Sequence, residues 1–380
     1  MRKHTIILIT AALTALLCQA HAFADAPEPS AHSAILTCAD TGDVLYEKNA
    51  DEPMLIASTT KIMTAIVVIE NTDIDSAVEI KPEWCGAEGS TMYLQAGQRY
   101  TVRQLLLGLM LASGNDAAVA LACNTAGDID SFAAMMNEKA AELGMTNSSF
   151  KNPNGLDEDG HYSCARDLAT LAAYCMENED FADIVSRGSC TIGDLTFINH
   201  NKLLWNCEGC IGVKTGYTIA AGRTLVSCAQ RGGMRLVCVT LNAPDDWDDH
   251  ISLYDWGFSN YSLTRISPDS FSASIPIIAS ECRTGKLVPD GSITLLTDRG
   301  SEVTAKLEIP RFAYAGAFAG EKAGTVKLFV NGELAAQEDL VYTEDAPVNK
   351  DERLSAFERV MKFFGENSKP YYIADGDKYE

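Results

Sequence analysis

The chain has 380 residues, 47% hydrophobic and 22% charged, with 30 basic and 52 acidic side chains and a net charge of −22. This composition is that of a globular protein with enough chain for two cores, and it excludes a disordered one. The acidic excess argues against nucleic acid as a partner and against simple adsorption to anionic lipid.

Arg2 and Lys3 precede an apolar run from Ile6 to Leu17, followed by "QAHAFADAPEPS". A basic start, an apolar stretch too short to span a bilayer and small-residue cleavage sites together read as an export leader, residues 1–22, with Ala24 as a second cleavage point. Cys18 does not suggest a lipid anchor, because Leu17 stands where such signals want a small residue. Without the leader the balance is 28 basic against 52 acidic side chains, or −24. The protein is expected outside the cytoplasm, in the cell wall or on the outer face of the cytoplasmic membrane.

Residues 26–262 read as one mixed domain. "SAILTCAD" and "DVLYEKNAD" alternate like two strands joined at Thr41-Gly42-Asp43. Helical runs follow over 58–71, over 101–123 with an interruption at Ser113-Gly114-Asn115, over 130–143, and from an N-cap at Ser163 to about Glu177. Three strand-like segments come next, "GCIGVKTGYT", "RTLVSCAQR" and "MRLVCVTLNA", the last two linked by Gly232-Gly233. A helix near 245–256 closes the domain. Strands, helices and strands in that order predict an α+β fold: an antiparallel sheet whose first and last strands meet, with helices packed on it.

From 263 to 345 helical periodicity gives way to short β-rich runs, among them "TVKLFVNGELAAQEDLVY" with a turn at Asn331-Gly332. They predict a small all-β sandwich. In the tail, 346–380, Leu354, Phe357, Val360, Met361 and Phe364 share one helical face beside Arg353, Arg359 and Lys362. Peripheral membrane contact through 350–364 and packing on the sandwich are both open readings. The last ten residues read as disordered.

Twelve cysteines, eleven after the leader, are scattered without the spacing of a disulfide scaffold. Cys207 and Cys210 form a lone C-x-x-C. With no histidine pair at ligand spacing and no thioredoxin-like context, they read as plain thiols. No metal and no cofactor are called for.

The chemistry begins in "IASTTKIMTAIVVIE", residues 56–70. A helix apolar on nearly every face carries Ser58 and, three residues on, Lys61. Positions three apart share a helix face, with Cβ atoms about 5–6 Å apart. Lysine becomes a usable base for a serine when burial or a second cation lowers its pKa. Ser148 and Lys151 repeat the spacing, but they run into Asn152-Pro153, and the residue before proline avoids helix. Ser113-Gly114-Asn115 breaks an apolar helical run where Gly costs about 1 kcal/mol against Ala, and it offers a second hydroxyl and an amide. Lys214-Thr215-Gly216, on a strand ending in Tyr217-Thr218, offers a cation, a hydroxyl and an open backbone for a substrate carboxylate. Arg283-Thr284-Gly285 is a near copy without matching partners.

S-x-x-K, S-x-N and K-T-G in this order are the set shared by penicillin-binding proteins and class A β-lactamases. The sequence resembles the low-molecular-mass penicillin-binding proteins, the serine D-alanyl-D-alanine carboxypeptidases. It does so strongly over 33–262, including "FKNPNGLDEDGHYSCARDLATLA" and "LYDWGF", and more loosely beyond. The resemblance implies that Lys61 deprotonates Ser58, which attacks the carbonyl between the last two D-alanines of a peptidoglycan stem peptide. Backbone N–H groups of Ser58 and Tyr217 would form the oxyanion hole. Ser113 would relay the proton, Asn115 would hold an amide of the acylated residue, Lys214 and Thr215 would bind the terminal carboxylate, and Gly216 would let the substrate approach the strand. β-Lactams would trap Ser58. Some relatives place an arginine after the last strand of the sheet, where this chain has "PDDWDDHISLYDW"; Arg223 on the neighbouring strand is the candidate substitute. A β-lactamase on the same fold would need a glutamate in an E-x-x-x-N segment, which 145–180 lacks. A D,D-endopeptidase or transpeptidase would use the same residues.

Overall fold

The structure, a computed structural model, describes residues 25–348. The leader and the apolar stripe of the tail lie outside the described residues. Strands β1 (Ser33–Cys38) and β2 (Val44–Lys48) form the expected hairpin. A 3-10 turn, Ala57–Thr60, leads directly into α1 (Lys61–Asn71). After it come a ribbon of β3 (Ala77–Glu79) and β4 (Arg99–Thr101), then α2 (Val102–Leu111), α3 (Asn115–Ala126), α4 (Ile129–Glu142), α5 (Ala165–Cys175) and α6 (Glu179–Ser186). A second ribbon, β5 (Ser189–Ile192) with β6 (Leu195–Ile198), and the single turn α7 (Leu203–Asn206) precede β7 (Cys210–Thr218), β8 (Gly222–Arg231), β9 (Met234–Leu241) and α8 (Asp246–Asn260).

The main sheet is antiparallel throughout, in the order β2-β1-β9-β8-β7. The first strands thus meet the last: Ile35 stands opposite Val239. Alternation sends the side chains of β9 to two cores, as a two-residue period requires. Val237, Val239 and Leu241 pack with Ile62 and Ile66 of α1, whereas Leu236 and Cys238 pack with Leu253 and Tyr254 of α8. α1 is therefore a central helix, buried from Lys61 through Val68. Thr101 and Gln104 start α2 with a reciprocal capping box. The cap of α5 differs from expectation: Cys164 Sγ accepts from Asp167 N at 3.4 Å. Ser163 is drawn one residue outside instead, because its carbonyl accepts from Met54 N at 2.7 Å.

Beyond α8, strands β10 (Tyr261–Ile266), β11 (Ala273–Ile278), β12 (Thr284–Pro289), β13 (Ile293–Asp298), β14 (Val303–Glu308), β15 (Ala313–Tyr314), β16 (Lys322–Val330) and β17 (Glu333–Tyr342) form the β-rich region. Six of them make one sheet, β14-β16-β17-β12-β11-β15, and β10 pairs with β13. Ile266 and Ile293 of that pair face Leu287, Val326 and Leu340 of the sheet across a shared core. β16 and β17 turn at Asn331-Gly332, both in the left-handed region (φ 51 and 87). The buried Asp40 carboxylate accepts from Arg265 at 2.6 Å and from Arg235 at 3.2 Å, tying the β-rich region to the main sheet.

Among the described residues no helix is long and apolar enough to cross a membrane, and no group of three or more His, Cys, Asp or Glu could hold a metal ion. Eleven cysteines, Cys38 to Cys282, carry free thiols.

Candidate active site

Ser58 lies in the 3-10 turn that opens α1, and Lys61 is the first residue of the helix proper. The turn is pinned from several sides. Thr59 Oγ1 and Thr224 Oγ1 donate to Ile56 O at 2.6 and 3.1 Å, and Ala57 takes a left-handed φ of 46. Strain of this kind persists only where its surroundings enforce it. Lys61 is fully buried, and its Nζ lies 2.8 Å from Ser58 Oγ, 2.6 Å from Asn115 Oδ1 and 2.6 Å from Asn154 O. Burial, and secondarily the charge of Lys214, push its pKa well below the usual lysine range against an opposing pull from Asp116. Burial alone pushes Lys214 down to about 7.

The nine residues expected from the sequence gather in one place. Ser58, Ser113, Thr215, Gly216, Tyr217 and Arg223 line a cavity of about 310 Å³, joined by Ser90, His200, Asp246 and Trp247. Lys61, Asn115 and Lys214 are buried beside it. Ser113 occupies the helix break at φ 58, a position rarely taken by a side-chain-bearing residue. β7 passes so close to the nucleophile that a Cβ on Gly216 would lie 2.9 Å from Ser58 N. The rejected pair does not meet: Ser148 Oγ bonds Ser163 Oγ and Asp167 Oδ2, both at 2.7 Å, and Lys151 is exposed. A larger open depression of about 510 Å³, between Pro53–Leu55 and Asp157–Tyr162, contains none of the nine.

Arg223 stands in the cavity wall. Its Nη2 donates to Asp246 Oδ1 at 2.7 Å, and its guanidinium lies 5.5 Å from the Trp247 ring. Asp246 is therefore the one buried member of the aspartates 245, 246 and 248, facing the site from α8, while Asp249 holds Ser30 N and Oγ at 2.7 and 2.8 Å.

Several supporting residues carried no sequence signal strong enough to single them out. Asp116, buried at the start of α3, accepts from the amides of Met92 and Leu94 at 3.0 Å and from Thr91 Oγ1. The loop so held returns two backbone acceptors to Asn115: Ser90 O takes its N–H at 2.7 Å and Glu88 O takes Nδ2 at 2.5 Å. Asn115 Oδ1 is thereby oriented toward Lys61. The turn Asn152–Gly155 supplies Asn154 O, and a Cβ on Gly155 would collide with Ala57 O at 1.9 Å. His161 Nε2 lies 2.8 Å from Thr60 Oγ1, and its Nδ1 accepts from Lys151 N at 3.1 Å.

The chain is also similar to known proteins. The family described as D-alanyl-D-alanine carboxypeptidase matches residues 20–245. The D-alanyl-D-alanine carboxypeptidase DacF of Bacillus subtilis is 33% identical over 332 residues, which cover 83% of this chain and 85% of that protein. Among solved structures, penicillin binding protein 5 from Haemophilus influenzae superposes with a TM-score of 0.71 at 28% identity, covering 85% of this chain and 99% of that one. The Streptomyces K15 DD-transpeptidase superposes with a TM-score of 0.60 at 34% identity, over 62% of this chain and 100% of its own.

Proposed function

This chain belongs to the D-alanyl-D-alanine carboxypeptidase family, and we propose that it removes the terminal D-alanine from peptidoglycan stem peptides through an acyl-enzyme on Ser58. The observation that carries the assignment of residues is the buried Lys61 Nζ at 2.8 Å from Ser58 Oγ. A neutral amine has two N–H donors and one lone pair. Asn115 Oδ1 and Asn154 O occupy the two donors, which leaves the lone pair for the Ser58 proton.

Lys61 takes that proton as Ser58 Oγ attacks the carbonyl between the two D-alanines. The oxyanion forms toward the backbone N–H groups of Ser58 and Tyr217, donors that need no reorganisation as charge develops. Ser113 passes the proton to the departing D-alanine nitrogen, and Asn115 also receives the amide of the residue that becomes acylated. Lys214, Thr215 and Arg223 bind the terminal carboxylate, while bare Gly216 lets the peptide lie along β7. Water then cleaves the ester. β-Lactams mimic the dipeptide and stop at the ester stage. The only carboxylate in the cavity wall is Asp246, already committed to Arg223, so a β-lactamase-type deacylating glutamate has no counterpart among the described lining residues.

The same reading makes the enzyme an exported one. Residues 1–22 serve as leader, 26–262 carry the chemistry, 263–345 form a β-rich unit, and 350–364 in the tail offer the peripheral membrane contact. Mass spectrometry of the mature protein with benzylpenicillin, beside D-alanine release from a diacyl-D-Ala-D-Ala peptide, tests the function. A lasting adduct on Ser58 with D-alanine release is the expected result. Rapid penicillin hydrolysis without an adduct would make it a β-lactamase.

A further inference from the structure

One titratable side chain of the cavity has no task in this scheme. His200 lies between β6 and α7, flanked by two buried asparagines. Asn199 Nδ2 donates to Arg187 O at 3.0 Å and Val185 O at 3.3 Å, and its Oδ1 accepts from Asn201 N at 2.9 Å. Asn201 Oδ1 in turn accepts from Leu203 N at 3.1 Å. Side-chain-to-backbone bonds of this local kind satisfy the backbone in place of a helix or sheet ladder and hold the turn. The residue between them is held in the cavity wall while staying exposed, and its ring has no hydrogen-bond partner among the described residues. A rigid backbone presenting an unpaired imidazole suits a contact made only with a ligand.

We propose that His200 is a substrate-binding residue whose imidazole donates a hydrogen bond to the C-terminal carboxylate of the D-alanyl-D-alanine peptide, beside Lys214, Thr215 and Arg223. The inference rests on the carboxypeptidase reading. The charged groups that face this part of the cavity are Lys214 from β7, Arg223 from β8 and Asp246 from α8. Asp246 is paired with Arg223, so the field on His200 is cationic and an anion is what the space attracts. Partial burial of the ring, and secondarily the Lys214 charge, hold the imidazole below its ordinary pKa. A bound carboxylate offsets that repulsion and favours the imidazolium, whose charge-assisted bond is roughly twice as strong as a neutral one. Substrate binding on the acid side of neutrality is therefore accompanied by proton uptake on His200.

The test is the kinetics of the mature enzyme, His200→Ala and His200→Gln between pH 5.5 and 8.5, on a diacyl-D-Ala-D-Ala peptide and its C-terminal carboxamide. At pH 6, His200→Ala is expected to raise KM about tenfold, the worth of one charge-assisted bond, with kcat within about twofold. The KM ratio to wild type should shrink toward about threefold at pH 8.5. His200→Gln should keep the high-pH KM and lose the acid-side gain, and the carboxamide should be insensitive to both changes. Comparing ratios removes the titration of Lys214, common to all three proteins. A KM ratio near one, or equal ratios for acid and amide at every pH, would overturn the inference while leaving the carboxypeptidase in place. Wild-type protein that releases no D-alanine would overturn both.

Discussion

Gly216 lies against the nucleophile: a methyl group on its Cα would stand 2.9 Å from Ser58 N, 3.1 Å from Thr59 N and 2.4 Å from Thr224 Oγ1. The edge strand β7 and the 3-10 turn are thus set at a spacing that only a bare Cα allows, and the proposed oxyanion hole, with one N–H from the turn and one from β7, depends on this spacing. Gly216→Ala must push β7 or the turn outward. Loss of one oxyanion donor elsewhere costs about 10²–10³ in rate, so acylation of Ser58 by fluorescent penicillin should slow by about 10²-fold. Overpacking of this size costs about 1–3 kcal/mol, visible as a lower Tm. An alanine variant that acylates at the wild-type rate would show that strand and turn separate freely.

In the proposed mechanism Lys61 works only as the free amine. Acylation should therefore rise with pH as Lys61 loses its proton and level off above that pH, well below the range of an exposed lysine because burial and Lys214 oppose the charge. Lys61→Ala removes the base, a change worth about 10²–10⁴ in rate. The variant should stay folded by circular dichroism, and its residual acylation should lose the acid limb. Retention of that limb in Lys61→Ala would assign the base to another group.

Most of this arrangement could be read from side-chain identities, because strands and helices of the main domain announce themselves by period. The apolar run of α1 with Ser58 and Lys61 at its start, the break at Ser113–Asn115 and the alternating β8 and β9 are all patterns of residue type. The ribbon β5–β6 left no such mark, being two four-residue strands with mostly exposed side chains. Nor did α6, whose eight residues are too few to fix a period. Asn154 contributes a main-chain carbonyl, which no side chain advertises. Asp116 looks like an ordinary acidic residue in the first turn of a helix, where such residues are favoured for the dipole alone. Among Asp245, Asp246, Asp248 and Asp249, the sequence does not distinguish the one that reaches Arg223, since that depends on how α8 is rotated against β8.

Asp116 makes a sharper prediction than its inconspicuous position suggests. It is the anchor of the loop that orients Asn115, with two loop amides and a hydroxyl on one buried carboxylate. Asp116→Ala leaves these buried donors unpaired, at about 1–3 kcal/mol each. Stability should fall by about 3 kcal/mol, and limited proteolysis should open the chain near 88–94. Asp116→Asn keeps one of the two acceptor oxygens and removes the charge that favours protonated Lys61. Its acylation profile should therefore begin its rise at lower pH than wild type. An unshifted acid limb in a folded Asp116→Asn protein would separate the loop from the electrostatics of the base.

Acid should destabilise the fold through two buried rings. His250 is fully buried between Ser227 Oγ at 2.7 Å and Thr240 Oγ1 at 2.9 Å, and burial pushes its pKa down to about 3. His161 is lowered to about 4, again chiefly by burial, and protonation of its Nδ1 would forfeit the bond from Lys151 N. Both folded pKa values lie below the ordinary histidine value, so the unfolded chain binds more protons. Stability is complete above about pH 6.5 and declines as pH falls toward the folded values, by about 1.4 kcal/mol per pH unit for each ring. Denaturant unfolding at steps from pH 7 to pH 4.5 should show the slope of stability on pH. His250→Gln, which can bond both hydroxyls without titrating, should reduce that slope by about one proton even if it lowers stability at pH 7. An unchanged slope in the variant would place the acid sensitivity elsewhere in the molecule.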